Sequence, residues 1–319
     1  MNGPPPDLSR EPVGFLGLGM MGFRMASRLL DQGVPLVVYN RTPEKAEPLL
    51  ERGAKLARTP REAAVGCTVT ISMVFDGDAV QDLLAGDGAG TGLLEALEPG
   101  RIHVDMSTVG PIASRAIAGT VQATGASFLD VPVLGSLLPA ERGELLLMAG
   151  GDPKDLDRVR PILDLLGRRV FHCGPAGQGN ALKIVANMML ARMAEAIGEA
   201  LALGTRQGLS GATVLDLLDA GSLASPMWQK GRVVLYGDPP VHFPVDSMRK
   251  DLRLVTEAAE DLDLELPVHE AVRSLYERVG EESEAGDRDY SWVARWLLLR
   301  RTVPDPPGPP RPPTLPPLG

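Results

Sequence analysis

Lys183 and Asn187 lie four positions apart in the segment Gly177-Gln178-Gly179-Asn180-Ala181-Leu182-Lys183-Ile184-Val185-Ala186-Asn187. From Ala181 to Leu203 nearly every residue is a strong helix former. Leu182, Val185, Met189, Met193, Ala196 and Ala200 recur at three- and four-residue intervals. Residues i and i+4 share a helix face, so an ammonium and an amide point into one space on an apolar helix. Burying that pair is costly unless something compensates it. A cation so placed can stabilise negative charge developing on a carbonyl oxygen and supply its proton. Desolvation at a helix start lowers a lysine's pKa towards neutrality, which suits an acid/base. The amide can hold the amine or a substrate hydroxyl without adding charge.

A second chemistry-bearing pattern lies near the N-terminus. Val13-Gly14-Phe15-Leu16 reads as a buried strand, Gly17-Leu18-Gly19-Met20-Met21-Gly22 follows at once, and Phe23 to Leu30 has helical periodicity stopped by Gly33. In a strand–G-x-G-x-x-G–helix unit the first glycine makes the turn and the second lets the backbone approach a pyrophosphate. The third lets the helix pack closely on the strand. The segment Gly17 to Met21 is therefore expected to contact a dinucleotide. The next strand, Leu36 to Tyr39, ends in Asn40-Arg41-Thr42 rather than in a carboxylate. A carboxylate there would accept the ribose 2′-hydroxyl of NAD and repel a 2′-phosphate. A neutral amide, a guanidinium fork and a hydroxyl suit the phosphate, so NADP(H) is expected over NAD(H).

The elements that must position these groups alternate. Strands are expected at Val69–Val74, Ile102–Asp105, Phe128–Val131, Leu145–Ala149 and Arg169–Phe171. Helices are expected at Asp78–Leu84, Pro111–Ala123 and Pro153–Leu165. The class is α/β, a Rossmann-type doubly wound, mostly parallel sheet followed by an all-helical domain. Ligands gather beyond the carboxyl ends of such strands, which draws attention to Met73-Val74, Met106-Ser107-Thr108 and Pro132 to Ser136. After Pro175 strand signals fade and helices follow at 212–220, from Ser225-Pro226, at 251–261 (stripe Leu252, Val255, Ala259, Leu262), 267–279 and 291–300. The expected division is a flexible lead-in (1–12), a nucleotide-binding domain (13–175), an interdomain helix (176–207), a helical substrate and oligomerisation domain (208–301) and a disordered proline-rich tail (302–319). Substrate is expected between the two domains.

Composition narrows the partners. The chain of 319 residues carries a formal net charge of −9, which argues against nucleic acid held through phosphates. No apolar run reaches the length of a membrane span, and the N-terminus lacks a signal pattern. Cys67 and Cys173 are too few for a disulfide framework, and the four histidines lack ligand spacing, so no metal is expected. These features suggest a cytoplasmic enzyme. Asp105 and Asp130 are read as turn caps at strand ends, and His103 as packing. Trp228, Trp292 and Trp296 are read as core or interface residues, and 281–284 as a solvated acidic loop.

Four ordered segments resemble the β-hydroxyacid dehydrogenase family, which includes 3-hydroxyisobutyrate dehydrogenase, tartronate semialdehyde reductase and glyoxylate/succinic semialdehyde reductase. They are G-F-L-G-L-G-M-M-G (14–22), D-M-S-T-V-G-P (105–111), D-V-P-V-L-G-S (130–136) and G-Q-G-N-A-L-K-I-V-A-N (177–187). A fifth is F-P-V-D-S-M-R-K-D-L (243–252). The stretch G-S-L-L-P-A-E-R-G-E-L (135–145) looks most like the glyoxylate/succinic semialdehyde reductase branch. The resemblance implies Lys183 as catalytic acid/base, Asn187 as substrate-orienting and Ser107 near the substrate carboxylate. It implies cofactor contacts from Met73, Val74, Asp78, Thr108 and Lys250, with Phe243 and Asp251 closing the site. Leu134 stands where the family has a serine, so carboxylate binding would fall to Ser107, Ser136 and the backbone of Gly135 and Ser136. The implied substrate is a small carboxylate-bearing aldehyde or hydroxyacid, and the implied assembly a homodimer or homotetramer. Within the same architecture, 3-hydroxyisobutyrate or tartronate semialdehyde specificity and imine reduction are alternatives. Lys183 speaks against imine reduction, since those relatives mostly carry aspartate or tyrosine there. A 6-phosphogluconate-type enzyme would want a basic cluster that is absent. A catalytically silent cofactor-binding scaffold is the non-enzyme alternative.

Overall fold

Short β-branched and apolar runs flanked by helices of 3.6-residue periodicity build the expected layers. The structure, a computed structural model, describes residues 7–282 and 284–300; the proline-rich tail lies outside the described residues. In chain order the elements are β1 (Val13–Leu16), α1 (Met20–Asp31), β2 (Leu36–Tyr39), α2 (Glu47–Leu50), β3 (Lys55–Leu56), α3 (Pro60–Ala64), β4 (Val69–Ser72) and α4 (Gly77–Ala85). Then come β5 (Ile102–Asp105), α5 (Pro111–Gln122), β6 (Ser127–Asp130), β7 (Val133–Leu134), α6 (Leu137–Arg142), β8 (Leu145–Gly150), α7 (Pro153–Leu166) and β9 (Gly167–Gly174). The remainder is helical: α8 (Gln178–Arg206), α9 (Gly211–Ala220), α10 (Trp228–Tyr236), α11 (Val245–Glu260), α12 (Pro267–Glu282) and α13 (Trp292–Leu299).

The sheet runs β3-β2-β1-β4-β5-β6-β8-β7, with β9 pairing β8. Strands from β3 to β6 are parallel, while β8 lies antiparallel to β6 and β7. Reversal after two crossovers, with β4 returning to the other side of β1, opens a crevice at the carboxyl ends of β1 and β4. Successive side chains face opposite layers. Phe15, Val38, Ile71 and Val104 pack with α1 and α7, whereas Leu16 and Phe128 pack with α3, α4 and α5. His103 sits between Thr70 Oγ1 (3.0 Å) and Ser72 Oγ (3.2 Å), and burial pushes its imidazole down to about 4. The packing role expected for it is thus fulfilled by a hydrogen-bonded, neutral ring.

Compact packing divides the chain differently from the expected boundaries. Among the described residues, one unit comprises those up to Arg192 together with Pro240–Tyr290, and the other Met193–Pro239 with 291–300. The reason for the inclusion of 240–290 is visible in α11. Lys250 Nζ donates to the carbonyls of Phe75 (2.9 Å) and Thr108 (2.5 Å), which lie in the loops after β4 and β5. Arg115 of α5 also pairs with Asp261 at 3.2 Å. Within the second unit Ile197, Leu201, Leu215, Trp228, Val234 and Ala294 form a separate cluster.

Several local expectations need correction. Residues 1–6 of the expected flexible lead-in lie outside the described residues, while Asp7 caps a short turn and Leu8 packs in the core. α11 starts at Val245, not at Asp251, and its expected stripe loses Leu262, which is 71% exposed beyond the helix end. Glu281 and Glu282 belong to α12. On α8 the apolar face read from the sequence is solvent-facing at Leu182, Val185 and Met189, while Lys183, Ile184, Asn187 and Ala191 are buried.

Candidate functional site

The glycine-rich turn is built by geometry that only glycine tolerates. Gly17 has φ +100°, and a Cβ there would stand 2.3 Å from the Met73 carbonyl oxygen; one on Gly22 would stand 2.1 Å from the Gly17 carbonyl. At Gly19, which caps α1 without a side-chain hydrogen bond, a Cβ would meet nothing within 4 Å. The start of α1 at Gly19 therefore opens on free space, where a helix N-terminus favours a phosphate. Asn40 fixes the turn from β2: its Oδ1 accepts from Leu18 N–H (2.9 Å) and its Nδ2 donates to Thr42 O (2.8 Å).

Beyond this turn lies a groove of about 460 Å³. Its walls include Gly17, Gly19, Met20, Met21, Asn40, Arg41, Thr42, Met73, Val74, Thr108, Phe243, Lys250 and Asp251, all singled out from the sequence. Leu18 is buried beneath the turn instead. Asp78 is exposed and outside the lining; Ala79, Asp82 and Leu83 of the same helix line the groove in its place, and Asp76 caps α4. Lys45, Phe75, His242 and Ser247 also line it and were not anticipated. A second cation four residues after Arg41 was the available signal for Lys45. Thr42, at the start of the turn Pro43–Ala46, makes no side-chain cap bond, so its hydroxyl is not consumed by helix capping. The glycine cradle and the Arg41–Lys45 end fit a dinucleotide.

Behind the groove a buried polar chain connects α8 to α11. Lys183 Nζ donates to Asn187 Oδ1 at 3.1 Å, and Asn187 Nδ2 donates to Asp251 Oδ2. Asp251 Oδ1 lies 2.9 Å from Lys250 Nζ. Lys183 is 8% exposed and Asn187 and Asp251 are 1% exposed. Burial pushes the Lys183 amine down to about 8; the Asp251 carboxylate pulls it up and the Lys250 ammonium pushes it down again. An amine held so close to neutrality can be protonated or free at physiological pH.

The structure brings the remaining expected residues less directly together. Ser107 is fully buried, and its Oγ accepts from Val74 N–H at 2.9 Å, joining the loops after β4 and β5. Leu134 ends β7, Gly135 and Ser136 connect it to α6, and none of the three lines the groove; Ser136 precedes α6 without a side-chain cap bond. Asp105 takes the Ser72 hydroxyl (2.7 Å) and the Ser107 N–H (3.2 Å), and burial pushes its carboxyl up to about 6. Asp130 caps the start of α8, as detailed below. Among the described residues no cluster of metal-ligating side chains occurs, and no helix is long and apolar enough to cross a membrane.

Known proteins share this architecture. Residues 12–174 match the NAD-binding domain of 6-phosphogluconate dehydrogenase, and residues 177–297 match the NAD-binding domain of NADP-dependent 3-hydroxyisobutyrate dehydrogenase. Glyoxylate/succinic semialdehyde reductase 1 of Arabidopsis thaliana is 36% identical over 290 residues, which cover 91% of this chain and 99% of that protein. The chloroplastic reductase 2 of the same plant is 33% identical over 292 residues, 91% of this chain and 80% of its own. The 3-hydroxyisobutyrate dehydrogenase of Mycobacterium tuberculosis, solved with L-serine, superposes with a TM-score of 0.80 at 28% identity, covering 90% of this chain and 99% of that one. Fold, groove and relatives together define an NAD(P)-dependent oxidoreductase. The chain belongs to the β-hydroxyacid dehydrogenase family.

Proposed function

We propose that this protein is an NADPH-preferring reductase of short carboxylate-bearing aldehydes, of the glyoxylate or succinic semialdehyde kind, with Lys183 as the proton donor. The observation that carries this reading is the buried Lys183 amine. It is pushed down to about 8 and tied through Asn187 to Asp251 on the groove wall. The names of the two plant relatives support the substrate class. Arg41, Thr42 and Lys45 at one end of the groove support the 2′-phosphate.

A bound nicotinamide supplies the hydride. The protein's part is electrostatic and positional. The Lys183 ammonium stabilises the charge developing on the carbonyl oxygen and donates its proton there; in the oxidative direction the free amine takes it back. Asn187 accepts from Lys183 and gives its own N–H to Asp251, so the ammonium is aimed while the Asp251 charge keeps it protonated. Family likeness offers Ser107, Ser136 and the Gly135–Ser136 backbone for the substrate carboxylate. Gly135 and Ser136 stand outside the groove lining, however, and Ser107 Oγ is held by Val74 N–H, so this assignment rests on the likeness alone. Leu134 in place of a serine favours a more apolar acceptor. The exposed Leu182, Val185 and Met189 on α8 support pairing of two copies along that helix. The free thiols of Cys67 and Cys173 suit a reducing compartment such as the cytoplasm.

The test is a cofactor-consumption screen over glyoxylate, succinic semialdehyde, tartronate semialdehyde and methylmalonate semialdehyde with NADPH and NADH in parallel. Turnover of at least one with NADPH in clear excess over NADH is expected. Tight NADPH binding without turnover of any aldehyde would support the silent scaffold instead, and equal use of NADH would remove the phosphate pocket. A monomer by light scattering would refute the pairing.

A further inference from the structure

A buried junction under the groove has no part in the chemistry above. Asp130 ends β6, and its Oδ1 accepts from Gly177 N–H at 2.7 Å while its Oδ2 accepts from Asn180 N–H at 2.8 Å. The Asn180 carboxamide then divides its two ends. Its Nδ2 faces Asp130 Oδ2 at 3.4 Å, and its Oδ1 accepts from both Val109 N–H (2.9 Å) and Gly110 N–H (3.0 Å). Asp130 and Asn180 are fully buried.

The loop 107–110 is thereby held from three directions. Ser107 Oγ receives Val74 N–H, the Thr108 carbonyl receives Lys250 Nζ, and Asn180 receives the last two amides. The start of α8 has equally little freedom: a Cβ on Gly179 would stand 2.2 Å from the Met148 carbonyl oxygen, so the helix presses on the sheet. Lys183 follows Asn180 by three residues and shares its face. Asn180 therefore spans from the loop whose Thr108 lines the groove to the helix whose Lys183 carries the amine.

We propose that Asn180 is a positioning residue for the reduction, setting the separation between the groove wall at Thr108 and the Lys183 amine. The proposal rests on the reading of Lys183 as proton donor. An amide is required because one end must accept two backbone N–H groups while the other faces a carboxylate. Aspartate reproduces both ends only when the pair it forms with Asp130 holds a proton, since two buried carboxylates this close do not both ionise readily. The charged and titratable groups acting on Asp130 from neighbouring strands are Asp105 on β5 and Cys173 on β9; neither supplies a compensating positive charge.

The experiment compares Asn180→Ala, Asn180→Asp and Lys183→Ala in the full-length protein. It measures kcat for aldehyde reduction across pH, the NADPH dissociation constant by nucleotide fluorescence and Tm. Misplacement of a reacting group by about 1 Å can cost roughly 10²-fold. Asn180→Ala is thus expected to lose about 10- to 100-fold in kcat with NADPH affinity nearly unchanged. Asn180→Asp should approach native kcat at acid pH and lose it as pH rises, through an ionisation absent from the native profile. Native kcat in the alanine variant overturns the proposal, as does an aspartate variant that follows the native profile or is equally inert at every pH. If the alanine variant does not fold, the aspartate profile decides alone. Lys183→Ala separates the two claims: retained kcat there defeats the proton-donor reading, whereas a crippled Lys183→Ala beside an active Asn180→Ala defeats only the positioning role.

Discussion

Replacing Asp251 by asparagine removes one negative charge from the Lys183 chain while keeping the side chain's shape. In the native protein burial lowers the Lys183 amine to about 8, against the opposing pull of Asp251. Amine and carboxylate are separated by the width of the Asn187 carboxamide and two hydrogen bonds, one of them 3.1 Å. That places the charges roughly 7 Å apart. With an effective dielectric near 20, a unit pair at that distance interacts by about 2 kcal/mol, or roughly 1.5 pH units. The sign follows from the role. A proton donor must be protonated, so the reductive rate falls as pH rises through the amine's pKa, and loss of the anion lowers that pKa. Native kcat/KM for aldehyde reduction at saturating NADPH should therefore fall with a midpoint near 8. In Asp251→Asn the midpoint should move acidward by roughly 1.5 pH units. Lys250→Met should move it the other way, since Lys250 lowers the Lys183 amine, and by less because Lys250 is itself paired with Asp251 at 2.9 Å. An alkaline limb that stays in place in both variants, or shifts in the same direction in both, would refute the assignment of that limb to Lys183.

Lys183→Ala should lower kcat by about two to four powers of ten, the usual weight of a positioned acid/base, with NADPH affinity within a few-fold of native; near-normal turnover contradicts it. Arg41→Ala and Lys45→Ala should each cut the ratio of kcat/KM for NADPH over NADH by about tenfold or more, the scale of a lost charge-assisted hydrogen bond. An unchanged ratio takes that residue out of the pocket. Gly22→Ala brings a methyl within 2.1 Å of the Gly17 carbonyl, so differential scanning should show a Tm several degrees lower and dinucleotide titration a weakened affinity. A variant with native Tm and affinity would mean that the turn relaxes without cost.

Legibility in the sequence varied with how local the signal was. The strand–turn–helix around Gly17 to Gly22 was readable because its glycines answer to contacts within a few residues, such as Gly22 against the Gly17 carbonyl. The two-residue strands β3 and β7 and the short helix α6 were not, because nothing in so few residues competes with their pairing partners. The buried side of α8 is not legible for another reason. Its apolar residues wrap most of the circumference, so the helix alone does not say which side the sheet covers. Family likeness puts Asp78 in the groove, whereas in the structure Asp76 caps α4 and Ala79, Asp82 and Leu83 are the residues of that helix that line it. Lys45 had only its spacing from Arg41 as a signal, and Asn180 had none. Each matters through groups brought near it by the fold.

Residue type and spacing alone determined the alternating strands and helices, the dinucleotide turn, the absence of a carboxylate after β2 and the shared face of Lys183 and Asn187. These depend on backbone periodicity and on steric rules that act within a single turn or strand. Tertiary structure decided which face of α8 is buried and that α11 joins the sheet's unit rather than a separate helical one. It also decided that the amine is lowered to about 8. Burial and charge are properties of what surrounds a group, and Lys183 is surrounded by Asn187, Asp251 and Lys250, the last two of which lie more than sixty residues away in the chain.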